Sequence, residues 1–178
     1  MKNAITIFLL LILVFSCSRN DFSDTKLHFE TDKETYRVND NFELTIIVYP
    51  TKEEKTIRFN KNLNNLNISF ISREEQLGFH QELKKRFIEG PSIFGDDSEY
   101  IVEYVITMKK PFKKTFNGTI TELENKIIFE IPELKISDSI DKSNLLEHPT
   151  ITIKGNCRTV YGAEENSFIP KEIKILIE

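Results

Sequence analysis

FELTIIV, residues 42–48, decides the fold class of this chain. Phe42, Leu44, Ile46 and Val48 fall on one side of an extended backbone, with Glu43 and Thr45 on the other. Successive side chains of a strand point to opposite faces, so this alternation reads as a half-buried β-strand. Outward from it the same period recurs. Upstream, Leu27, Phe29 and Thr31 alternate with His28 and Glu30; downstream come Ile57 with Phe59, and Leu66 with Ile68 and Phe70. Tyr100, Val102, Tyr104, Ile106 and Met108 form the cleanest set, opposite Glu99, Glu103 and Thr107. Residues 112–121, then Ile127, Phe129 and Ile131, then Ile151 with Ile153, and finally Ile173, Ile175 and Ile177 complete the series.

About nine short strands at fairly regular spacing predict an all-β chain built as a β-sandwich. The 14 Phe residues and the abundant Ile supply a core suited to strands. Turns are expected at residues 38–41 and at the pairs Asn117-Gly118 and Gly155-Asn156. One segment departs from period 2. Ser72 and Glu75 have the spacing of a capping box, and Phe79, Leu83 and Phe87 recur at helical intervals. A short helix is expected over 74–88, with Gly78 inside it, followed by a loop EGPSIFGDDS at 89–98. The domain is placed at 27–178, with a possible division into two smaller sandwiches near residue 110.

The segment TDKETYRVND (31–40) followed by the FELTIIV strand resembles the opening of many bacterial immunoglobulin-like domains. These begin with a short strand, a Tyr, a tight turn and a long alternating strand. Asn39-Asp40 stands where Gly-Asp is usual, and Asn tolerates positive φ better than most residues. The resemblance covers residues 27–59 and implies an immunoglobulin-like β-sandwich. Such sandwiches carry many unrelated roles, so it implies nothing about activity.

The N-terminus speaks to location. Lys2 precedes an apolar run from Ala4 to Phe15 interrupted by Thr6, the layout of an export signal. The run is shorter than the ~20 residues a helix needs to cross a bilayer. Val14-Phe15-Ser16-Cys17 resembles the lipobox of bacterial lipoproteins, with Phe15 bulkier than usual there. That resemblance implies residues 1–16 as a signal peptide, cleavage between Ser16 and Cys17, and lipid attachment at Cys17. Two or more acyl chains make such an anchor durable. Ser18, in place of the Asp that retains enteric lipoproteins at the inner membrane, favours the outer membrane. Residues 17–26 read as a polar, lipidated tether. The expected setting is therefore a bacterial cell envelope, with the membrane itself as one partner.

Composition narrows the partners further. The whole sequence carries a net charge of −4, and the leader removes one Lys. A mildly acidic chain with no basic stripe is not built to neutralise phosphates, so no nucleic acid is expected. The KKPFKK run at 109–114 reads as a solvated turn. With Cys17 acylated, Cys157 is the one remaining cysteine; it can form no intrachain disulfide and is expected in the core.

Candidate chemistry is sparse. His28, His80 and His148 lie far apart and outside any metal-binding motif, so no metal or cofactor is expected. The acidic stretch from Gly95 to Glu99 lacks the spacing of a calcium loop and reads as a solvated turn. No GxSxG, SxxK or Walker-type motif is present, so no catalytic residue is assigned. Asp138-Ser139-Ile140 matches the pattern used for O-glycosylation of exported proteins in Bacteroidota, which makes Ser139 a candidate. The Asn-glycosylation sequons at Asn67 and Asn117 carry no meaning in a bacterial lipoprotein.

The leading functional expectation is a non-catalytic binding or adaptor module that contacts another protein through an edge strand or loops. An inhibitor or immunity lipoprotein that blocks a hydrolase or toxin is the first alternative. Glycan capture is the second. The absence of Trp disfavours it, and it would require an exposed row of Tyr36, Tyr49 or Tyr161.

Overall fold

In the long alternating strand every expected inward side chain is buried: Phe42, Leu44, Ile46 and Val48 are each at most 1% exposed. The computed structural model describes residues 22–63, 65–73, 101–160 and 165–177. Among them are twelve strands: β1 (Thr25–Thr31), β2 (Thr35–Arg37), β3 (Asn41–Pro50), β4 (Lys55–Asn60), β5 (Leu66–Ser72), β6 (Ile101–Ile106), β7 (Phe112–Leu123), β8 (Lys126–Ile131), β9 (Ile136–Asp141), β10 (Thr150–Arg158), β11 (Glu165–Ser167) and β12 (Lys171–Leu176). A 3-10 turn spans Pro132–Leu134, and a short helix, α1, spans Lys142–Glu147. The helix expected over 74–88 and the loop at 89–98 lie outside the described residues.

Sheet A has the order β1-β3-β7-β8-β9, antiparallel throughout. In sheet B, β10 pairs with β5 along one edge and with β11 and β12 along the other, and β2 joins β12 in parallel. The opening of the chain is thus shared, with β1 in sheet A and β2 in sheet B. β1, β3 and β7 lie on one side and β5, β10 and β12 on the other, as in a β-sandwich. The turn from β2 to β3 is built as expected: Asn39 takes φ 72, and Asp40 Oδ2 accepts the Arg37 N–H at 2.9 Å.

β4 and β6 pair antiparallel as a third, two-stranded sheet, while sheets A and B curl toward each other and are joined along both seams. At one, Asp138 of β9 accepts the Phe70 N–H of β5 at 2.9 Å. At the other, Ile169 donates its N–H to the Leu27 carbonyl of β1 at 2.9 Å. Between them lies one core that draws on residues before and after position 110, including Phe42, Phe59, Phe116, Phe129, Ile153 and Ile175. Phe70 stacks on Phe129 with centroids 5.1 Å apart, and Phe59 on Phe112 at 4.7 Å. β3 and β7 pair across residue 110, and strands from both sides of it share this core. The packed part reaches upstream of residue 27: β1 starts at Thr25, and Phe22 is buried edge-on against Phe59.

Two of the expected turns are strand interiors instead. Asn117-Gly118 lies within β7 and Gly155-Asn156 within β10. Both glycines answer to crowding rather than to a bend. Gly118 pairs with Phe42, whose ring fills the space a Cβ would take. At Gly155 a Cβ would stand 2.9 Å from Phe29 Cζ and 2.6 Å from the Asn67 carbonyl oxygen. Three strands beyond the nine expected are β2, β9 and β11. β2 and β11 are too short to show a period. In β9 the inward position between Ile136 and Ile140 is Asp138, a charged residue that conceals the alternation.

Candidate binding groove

The most distinctive irregularity of the structure is a β-bulge at the end of the chain. β11 and β12 both pair with the same edge of β10, but Asn156 is opposite Ser167 while Ile153 is opposite Lys171. Lys154 and Gly155 therefore face three residues, Phe168, Ile169 and Pro170. The extra residue bends the strand, as bulges do, and Pro170 fits there because it has no N–H to give to a ladder. Phe168 N–H still reaches the Gly155 carbonyl at 2.8 Å. Its ring turns inward to stack on Phe29, centroids 4.4 Å apart. Ile169 forms a parallel bridge with His28 of β1.

On the outer face of sheet B this departure leaves a groove of about 290 Å³. Its floor is a row across three strands: Asn67 of β5 faces Asn156 of β10, which faces Ser167 of β11. Ser69 and Lys154 form the next pair, and Phe168 and Pro170 make the wall. Asn156 is only 8% exposed. Its Nδ2 donates to Glu165 Oε2 at 3.2 Å, while its Oδ1 has no hydrogen-bond partner among the described residues. A buried acceptor without a donor costs stability. The groove thus combines carboxamides, hydroxyls and one ammonium, groups that hold hydrogen-bonding ligands such as a peptide main chain.

The residues singled out from the sequence are placed as follows. Ser16, Cys17, His80, the Gly95–Glu99 stretch and Tyr161 lie outside the described residues. Ser139 is exposed on β9, beside the buried Asp138. His28 is half-buried with Tyr49 edge-on to its ring at 5.9 Å, and His148 closes α1. Among the described residues no three His, Cys, Asp or Glu side chains group as metal ligands. Cys157 is fully buried in the core, with Asn65 Nδ2 3.5 Å from its sulfur. No helix among the described residues is long and apolar enough to cross a membrane.

Tyr36 belongs to the scaffold. It is 1% exposed; its hydroxyl donates to Asp32 Oδ1 at 2.7 Å and accepts the Lys33 N–H at 3.0 Å. Burial, reinforced by the bond to Asp32, pushes its phenol up to about 12. For Asp32, burial acts to raise the carboxyl. The bonds from the Tyr36 hydroxyl and the Glu43 N–H outweigh it and hold the group below the usual carboxylate range.

In sequence, Gly155-Asn156 carries a turn signal that conceals the groove residues. An isolated Gly in a strand pattern, followed along the partner strand by a Pro, is the signal of a bulge. No family model, curated protein or solved structure matches this chain.

Proposed function

We propose that this chain is a lipid-anchored protein of a bacterial envelope that works by contact, holding another protein on the outer face of sheet B. The observation that carries this reading is the groove at the bulge. It has a polar floor spanning three strands, with a buried Asn156 carbonyl that lacks a donor. A scaffold gains nothing from that orphaned acceptor, whereas a bound segment would satisfy it. The Cys17 anchor accounts for how the module is held near its partner. Glycan capture has less support, because Tyr36, one of the three aromatic residues it would draw on, is buried.

The test is crosslinking in intact cells, with a photoreactive residue in place of exposed Ser167 and, as a control, of exposed Thr115 on sheet A. The expected outcome is a discrete protein adduct from position 167 that is absent from 115 and is lost on Asn67→Arg. Equal adducts from both positions, or none from 167, would overturn the reading.

A further inference from the structure

The turns that join β3 to β4 and β6 to β7 lie side by side. The ladder pair Val48 with Phe112 flanks both on one side, and the pair Lys55 with Ile106 flanks both on the other. The start of β1 is pinned at this same end. Thr25 pairs with Pro50, Thr51 donates its N–H to the Asp24 carbonyl at 2.7 Å, and the Lys55 ammonium reaches Ser23. The chain therefore leaves the sandwich toward Cys17 from here. Residues 17–21, fully extended at ~3.5 Å each, span at most ~18 Å.

The surface at this end is chemically distinct. Met108, at the tip of the β6–β7 turn, is 60% exposed, and Val105 on the outer side of β6 is 56% exposed. Lys109 and Lys110 follow, both exposed, and among the described residues neither ammonium meets a carboxylate. Lys113 and Lys114, further along the same run, are instead drawn to Glu30 and Glu133. On the neighbouring turn Lys52 pairs with Asp24 at 3.3 Å, beside exposed Glu53 and Glu54. The Met-Lys-Lys tip thus sets two lysines that meet no carboxylate among the described residues beside an exposed apolar side chain.

We propose that this tip is a membrane-contacting foot, which seats Met108 in the interfacial layer of an anionic phospholipid leaflet and Lys109 and Lys110 among its phosphates. The proposal rests on Cys17 being the lipid anchor. An apolar side chain flanked by lysines suits this boundary, since long Lys stems let the ammonium stay with the headgroups. The short tether keeps the tip close to the bilayer, so a contact too weak to recruit a free protein still sets its orientation. The acidic remainder of the chain is not drawn to such a leaflet. Leu123, equally exposed at the far end of β7, has Glu122 and Glu124 for neighbours. The twelve residues of β7 place it ~36 Å up the strand from Phe112.

The test uses the mature lipoprotein purified from membranes, labelled with an environment-sensitive fluorophore at Met108→Cys or Leu123→Cys. Cys157 is buried, and Cys17 is taken up by acylation on the anchor reading. Each protein is placed in phosphatidylcholine vesicles with and without phosphatidylglycerol. The 108 label is expected to shift to the blue and to be quenched by nitroxide lipids, severalfold more with phosphatidylglycerol. Added salt, or Lys109→Glu with Lys110→Glu, should remove the effect, and the 123 label should stay in water throughout. A protein that floats with the vesicles while its 108 label is as wet as its 123 label overturns the foot and leaves the anchor standing. A protein that does not float overturns both.

Discussion

The Tyr36 hydroxyl donates to Asp32 Oδ1 at 2.7 Å, and the same oxygen accepts the Glu43 N–H at 2.7 Å. One carboxylate oxygen thereby ties the end of β1 to β2 and to β3, at the point where the opening strand leaves sheet A for sheet B.

Tyr36→Phe removes the donor to Asp32 and the acceptor of the Lys33 N–H. A loss of about 1–2 kcal/mol is expected from denaturant unfolding near neutral pH. Alkaline titration gives a second signature. The folded phenol, at about 12, lies above its ordinary value of 10.0. Its stabilisation is thus complete below pH 10 and declines as pH rises toward 12, because the unfolded state loses its proton first. The gap in Tm between wild type and Tyr36→Phe should narrow across that window. A constant gap would show that the hydroxyl is not held as described.

Gly118→Ala should destabilise by about 1–3 kcal/mol, because the new methyl group runs into the Phe42 ring and stands 2.8 Å from the Glu130 carbonyl oxygen. A turn glycine on the surface would accept the same change at little cost. The midpoint of urea unfolding separates the two.

Much of the sandwich was legible because period-2 alternation and buried Phe or Ile coincide in β3, β7, β8 and β12. What the sequence hid lies where one residue answers to a neighbour distant along the chain. Asp138 turns inward to meet a backbone N–H on β5, and Gly118 makes room for a ring on β3. The groove was hidden for the same reason. Gly155 and Pro170 look like separate turn signals until the register places them opposite each other.

Asp138 is 6% exposed and accepts the Phe70 N–H across the seam. Asp138→Ala should cost about 2 kcal/mol, the range for a hydrogen bond to a charged group, and should loosen β9 from β5. Faster amide exchange at Phe70 than at Phe129 would report the seam directly.

Asn156→Ala removes the bond to Glu165 together with the orphaned Oδ1. These losses offset, so stability should stay within about 0.5 kcal/mol of wild type. Crosslinking from position 167 should nevertheless fall. Large destabilisation without an effect on crosslinking would make Asn156 a structural residue.

The envelope setting and the membrane foot both hang on the anchor, and the mass of the N-terminal peptide from membrane-extracted protein tests it most directly. The expected peptide begins at Cys17 and carries a thioether-linked diacylglycerol, with or without an amide-linked acyl chain. A peptide that retains residues 1–16, or one with Cys17 as a free thiol, would contradict the anchor and the envelope contact built on it.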